Sequence, residues 1–162
     1  MKGDKITKTN LKPRSSSVLL LALLLLTACS GSTLYSDYVA FPAEGWQAYD
    51  GKEFATTLPN DSYDVNIFVR HGGTYQYSNL WLFVDHISPD NVVTTDTVNI
   101  VLADAYGNWI GRGWGNSHQV EVNIAHKLPL DSGTHVFKIN QAMREHKLVG
   151  INNIGLSIEK CR

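Results

Sequence analysis

Five stretches of this chain alternate apolar and polar residues with a period of two, and that alternation restricts the fold more than any other feature. Tyr63, Val65, Ile67 and Val69 interleave with Asp64, Asn66 and Arg70. Val98, Ile100 and Leu102 interleave with Thr97 and Asn99, and Val120, Val122 and Ile124 with Gln119, Glu121 and Asn123. His135, Phe137 and Ile139 interleave with Val136 and Lys138, and Ile154, Leu156 and Ile158 with Gly155, Ser157 and Glu159. Successive strand side chains point to opposite faces, so this pattern marks half-buried strands. A sixth stretch, Leu80-Trp81-Leu82-Phe83-Val84, is apolar on both faces and reads as a central strand. Turn residues separate them: Asp50-Gly51, Pro59-Asn60-Asp61, His71-Gly72-Gly73, Pro89-Asp90-Asn91, Tyr106-Gly107-Asn108 and Asp131-Ser132-Gly133. The expected fold is all-β: an antiparallel β-sandwich, jelly-roll-like or immunoglobulin-like, with seven to nine strands. Only 140–147 departs from this. Asn140 suits a helix cap and Ala142 to Glu145 are helix formers, which predicts one short helix there.

The first thirty residues differ in kind. Lys2, Lys5, Lys8, Lys12 and Arg14 face a single acid, Asp4, and the apolar run Val18 to Leu26 follows. A nine-residue helix reaches only about 14 Å, short of the roughly 20 residues that a bilayer core requires. A basic segment followed by a short apolar one is a secretory signal. Its end, Leu26-Thr27-Ala28-Cys29, resembles the bacterial lipobox. In that family the cysteine thiol is alkylated by a diacylglyceryl group and the chain is cut before it. Residues 1–28 are therefore expected to be a removed signal peptide, 29–33 a lipidated tether on Cys29, and 34–162 the β-sandwich domain. More than one acyl chain is needed for firm anchoring. Ser30-Gly31-Ser32 carries neither Asp after the cysteine nor an acidic cluster, resembling lipoproteins kept at the periplasmic face of the outer membrane. Removing the signal also changes the charge. The whole chain is near neutral at −1, whereas residues 29–162 carry nine Lys plus Arg against fourteen Asp plus Glu, a net −5. That argues against a nucleic-acid partner, which calls for a basic patch.

Motifs that carry chemistry are sparse. No HExxH, GxSxG or P-loop occurs, and the six histidines have no ligand spacing, so neither metal nor cofactor is expected. Asp104 to Asn108 reads as a tight turn rather than a calcium loop. Cys161, near the C-terminus, reads as an exposed or frayed thiol. In Trp109-Ile110-Gly111-Arg112-Gly113-Trp114-Gly115, a strand would put Trp109 and three glycines on one face and Arg112 and Trp114 on the other. Two outcomes are open: Trp81 or Phe83 fills the glycine trough in the core, or Trp114 and Arg112 line a ligand groove. Tyr75 and Tyr77 lie on a Gly-containing loop that either recognises a ligand or packs over the sandwich end. Asp96-Thr97-Val98 resembles the O-glycosylation acceptor of exported Bacteroidota proteins, with Thr97 the acceptor.

Taken in order, several segments resemble the gliding-motility lipoprotein H (GldH) family of the Bacteroidota. They are the lipobox at Cys29, Phe54 with Pro59 and Asp61, Tyr63 to Arg70, Tyr75 to Leu82, and Asp96 to Val98. Leu102 to Asp104, Gly107 to Gly113, Gln141 to Arg144, Leu148 to Ile151 and Gly155 to Glu159 complete the match. The resemblance implies a non-enzymatic outer-membrane lipoprotein, a scaffold or assembly factor tied to gliding motility and type IX secretion. Its expected partners are the membrane, through the lipid, and other envelope lipoproteins or motility and secretion components. The alternative is an envelope-displayed glycan-binding β-sandwich module. Exposed Trp81, Trp109 and Trp114 would favour a glycan; a contiguous apolar patch would favour a protein partner.

Overall fold

The computed structural model describes residues 33–161. The leader, Cys29 and most of the tether lie outside them. The described residues form eleven strands: β1 Thr33–Ala40, β2 Trp46–Gln47, β3 Lys52–Leu58, β4 Asp61–Gly72, β5 Asn79–Ile87 and β6 Val93–Val101. They continue as β7 Arg112–Trp114, β8 Ser117–Leu130, β9 Gly133–Gln141, β10 Lys147–Leu148 and β11 Ile151–Lys160. Two antiparallel sheets form a sandwich, one ordered β1-β11-β4-β8-β7 and the other β3-β9-β5-β6. β10 and β2 pair separately at one end, and Trp46 is buried there.

The alternation seen in the sequence becomes the core. Tyr63, Val65, Ile67 and Val69 of β4 and Ile154, Leu156 and Ile158 of β11 are sealed from solvent against Phe54, Leu80, Leu82, Ile100, Phe137 and Ile139 of the other sheet. Fully burying such side chains contributes roughly 1.5–3 kcal/mol each before entropy is counted. Phe54 comes from β3, whose Leu58 end turns directly into β4 through Pro59-Asn60, so consecutive strands switch sheets there.

Two expectations are corrected. β5 does lie inside its sheet, between β9 and β6, but it is not buried on both faces. Leu80, Leu82 and Val84 point inward, while Trp81 and Phe83 remain 41% and 45% exposed on the outer face. The helix predicted at 140–147 is absent. Asn140 and Gln141 finish β9, and the buried Gln141 amide organises the turn after it. Its Nε2 donates to the Glu145 carbonyl at 2.7 Å, and its Oε1 accepts from the Met143 N–H at 2.9 Å. Lys147 and Leu148 then pair with Gln47 and Trp46. The few residues left between two committed strands are too short a run to nucleate a helix, whatever their propensities.

Candidate functional site

The loops joining strands at the end away from Thr33 carry most of the singled-out residues, and the structure sorts them. Tyr75 is structural: it is buried, its hydroxyl donates to the Asn79 carbonyl at 2.9 Å, and burial pushes its phenol well above the ordinary range. Tyr77 packs edge-on against it at 5.7 Å and donates to Glu145 Oε1 at 2.8 Å, a bond that holds its own proton more tightly. A hollow of about 220 Å³ beside this pair is lined by Gln76, Tyr77, Glu145, Lys147, Leu148 and Val149.

The glycine trough does not form as expected. Only Arg112–Trp114 is strand. Gly111 sits at φ +90°, and a Cβ there would lie 2.2 Å from the Gln119 carbonyl oxygen, so the backbone of β8 occupies the space. Neither Trp81 nor Phe83 fills it, since both lie on the outside of the other sheet. Trp109 turns inward and meets the buried His71 ring edge-on at 4.6 Å, with His118 stacked on His71 at 5.6 Å. His71 Nε2 has no hydrogen-bond partner, and burial lowers the affinity of this ring for a proton. Trp114, by contrast, is 93% exposed.

Arg112 and Trp114 instead open onto the outer face of the five-stranded sheet. A hollow of about 460 Å³ is lined by Arg70, Arg112, Gly113, Trp114, Ser117 and Gln119. A neighbouring one of about 130 Å³ is lined by Tyr38, Phe68, Arg70, Gln119 and Asn153. Register explains the assembly: Asn153 pairs with Arg70, Arg70 with Gln119 and Gln119 with Arg112, one row across four strands. Arg70 Nη2 donates to Gln119 Oε1 at 3.0 Å. Sequence reasoning missed Tyr38, Phe68, Arg70, Gln119 and Asn153, because nothing in one strand tells which strand will lie beside it. Gly155, set among alternating apolar residues, was the available signal. A Cβ there would lie 2.0 Å from Phe68 Cζ, so the missing side chain lets the Phe68 ring lie against the sheet.

The remaining sites are simpler. Thr97 is exposed on β6, the edge strand of its sheet, opposite Phe83. Asp104 closes its turn by accepting from the Tyr106 and Asn108 N–H groups at 2.9 and 2.8 Å, and together with the Asn108 side-chain bond these hold its carboxyl below the ordinary range. Among the described residues no group of three or more His, Cys, Asp or Glu side chains is placed to share a metal ion. Cys161 is not the exposed or frayed thiol expected. It is half-buried, its N–H bonds the Ser62 carbonyl, and its Sγ donates to Asp64 Oδ1 at 3.1 Å. Desolvation, helped by Asp64, raises its pKa and so disfavours the reactive thiolate.

Comparison with known proteins places the chain. A "Gliding motility lipoprotein GldH homolog" of Christiangramia forsetii is 26% identical over 151 residues, covering 88% of this chain and 93% of that protein. The "Gliding motility lipoprotein GldH" of Flavobacterium johnsoniae is 25% identical over 156 residues, covering 91% of this chain and 97% of its own length. Solved structures are more distant. A family 35 carbohydrate binding module from an environmental isolate is 16% identical over 83% of this chain and 94% of its own, with a TM-score of 0.35. The TmCBM61 module, solved with β-1,4-galactotriose, is 11% identical over 82% and 86% of the two chains, with a TM-score of 0.34. Likenesses at that level carry no inference about function. The GldH lipoprotein family model matches residues 33–158, nearly the whole described domain. The chain belongs to the GldH lipoprotein family: a lipid-anchored, non-enzymatic gliding-motility lipoprotein with a β-sandwich domain.

Proposed function

We propose that this lipoprotein is held through Cys29 on the periplasmic face of the outer membrane and acts there as a scaffold or assembly factor for envelope machinery of the gliding-motility and type IX secretion kind. The observation that carries this reading is the outer face of the four-stranded sheet. Trp81 and Phe83 stand side by side on it, with Val101 49% exposed on the adjacent β6, while Val93 lies beyond the polar Asp85–Thr95 row. Such a face on a sheet with one layer behind it marks an interaction surface.

The anchor adds an orientation. Three residues separate Cys29 from the start of β1, so four Cα-to-Cα steps reach at most about 14 Å. By register, the β1 start lies with the β3–β4 turn, the β8–β9 turn and the end of β11. That end faces the bilayer, and the end bearing Tyr77 and Trp114 faces away.

Two experiments test the reading. Cys29→Ser is expected to abolish acyl labelling and release the protein from the membrane fraction; retention with labelling would sink the anchor. Crosslinked purification of the lipidated protein is expected to recover motility or secretion components, and the Trp81→Ser, Phe83→Ser double variant is expected to lose them while staying folded. Recovery undiminished in that variant would refute this face as the docking surface.

A further inference from the structure

The two hollows on the outer face of the five-stranded sheet share Arg70 and Gln119, so they form one groove rather than two. It runs across the strands from Tyr38 on the β1 edge to Trp114 on the β7 edge. Five strands set that span at four spacings, about 19 Å. Its lining is of three kinds. Aromatic surfaces stand at both ends, with Tyr38 63% exposed and Trp114 93% exposed, and Phe68 lies between them. Amide groups of Gln119 and Asn153 line the middle. Arg70 and Arg112 flank Gln119 on its two neighbouring strands, two spacings or about 10 Å apart.

Arg70 is bonded to the neutral Gln119 amide. Among the described residues no ion pair neutralises the two guanidinium groups, although Glu121, two residues along β8 from Gln119, lines a hollow with Arg112. This stands out on a domain whose net charge is −5 once the leader is removed. Flat aromatic faces stack on the apolar faces of sugar rings. Amides satisfy hydroxyls, and a guanidinium fork accepts a carboxylate in a bidentate pair. The elongated shape fits several linked residues rather than a single small molecule.

We propose that this groove binds a carboxylate-bearing oligosaccharide, a uronic-acid segment of an acidic polysaccharide, with Trp114 and Tyr38 stacking on sugar rings and Arg112 and Arg70 pairing with carboxylates. The groove lies on the opposite outer face from Trp81 and Phe83, so a glycan here and a protein partner there can be held together. The inference therefore extends the scaffold reading and stands or falls apart from it.

The test uses the mature lipidated protein in detergent, titrated with hexagalacturonate and hexamannuronate while Trp fluorescence and heat are followed. Cellohexaose serves as the neutral sugar and polyglutamate as the acidic peptide. Saturable binding of at least one uronate is expected, weakened about tenfold or more by Trp114→Ala and by Arg112→Gln. Both residues are exposed, so unchanged thermal midpoints confirm folded variants. Cellohexaose and polyglutamate are expected to bind at least about tenfold more weakly. Absence of saturable uronate binding at millimolar concentration would overturn the proposal. So would affinities unchanged in both variants, or polyglutamate binding as well as the uronates, which would mark an acidic-peptide surface instead.

Discussion

The two outer faces of the sandwich are built from strands of the same kind but finished differently. On the five-stranded sheet, polar groups bond across strands: Asn123 Nδ2 donates to Asn66 Oδ1 at 2.8 Å, Asn66 lies against Ser157, and Arg70 bonds Gln119. On the four-stranded sheet, rows alternate in character. Ala55, Val136, Ile87 and Val93 form one apolar row. Glu53, Lys138, Asp85 and Thr95 form the next, tied by the Lys138–Glu53 pair at 3.3 Å and the Thr95–Asp85 bond at 2.7 Å. Phe83, Thr97 and Asn140 follow, with Trp81 beyond. A solvated antiparallel face needs only polar residues. On the four-stranded sheet the exposed aromatics sit on the inner strand β5, where the proposed protein partner would dock, whereas on the five-stranded sheet Tyr38 and Trp114 stand at the two edges and a bonded polar lattice fills the middle.

The largest expected effect separates inside from outside on one strand. Leu82→Ala removes a sealed core side chain and is expected to cost about 2–5 kcal/mol in urea unfolding. Phe83→Ser, one residue along but facing out, is expected to stay within about 0.5 kcal/mol. Equal losses would break the contrast between the faces of β5.

Gly155→Ala tests the other sheet. Its methyl would meet the Phe68 ring and the Asp37 carbonyl oxygen, for an expected cost of about 1–3 kcal/mol. Adding Phe68→Ala is expected to recover part of that loss; no recovery would show that the backbone contact with β1, not the ring, sets the penalty.

The inner faces give a pH test. His71 projects from the five-stranded sheet with Nε2 unbonded, while His86 of the other sheet meets His135 at 3.0 Å. Both His71 and His86 are held below the ordinary histidine pKa, chiefly by burial. The unfolded chain thus takes up protons near pH 6.5 that the native state refuses. Stability is expected to be full above about pH 7 and to fall as pH drops through about 6.5 toward the depressed native values. His71→Phe is expected to flatten part of that slope in denaturant titrations between pH 7.5 and 5. An unchanged slope would assign it to His86 instead. The smallest effect concerns Thr97. If it is modified, intact mass falls on deglycosylation, with no measurable change in stability because the residue is exposed on an edge strand.

Much of the sandwich was legible because its signal is local. Val65, Ile67 and Val69 announce which face is buried within a few residues of chain. The helix at 140–147 was misread for the converse reason: propensity is also local, and a single buried amide, that of Gln141, overrode it with bonds to Glu145 and Met143. The candidate residues divided the same way. Tyr75 and Trp109 carry nothing in the sequence that separates a buried ring from an exposed one, whereas their packing under Gly150 and against His71 is decided by chain arriving from elsewhere.

The sequence alone determined the all-β class and most of the inward residues, and it alone carries the proposed leader and the cysteine after it, since each depends on neighbours along the chain. Only the tertiary structure decided which strands lie side by side. That choice set Arg70 beside Gln119 and Arg112, left Trp81 and Phe83 uncovered and tied Cys161 to Asp64. Lateral pairing is a property of the assembled sheets, because the backbone bonds that join strands are the same whatever side chains they carry.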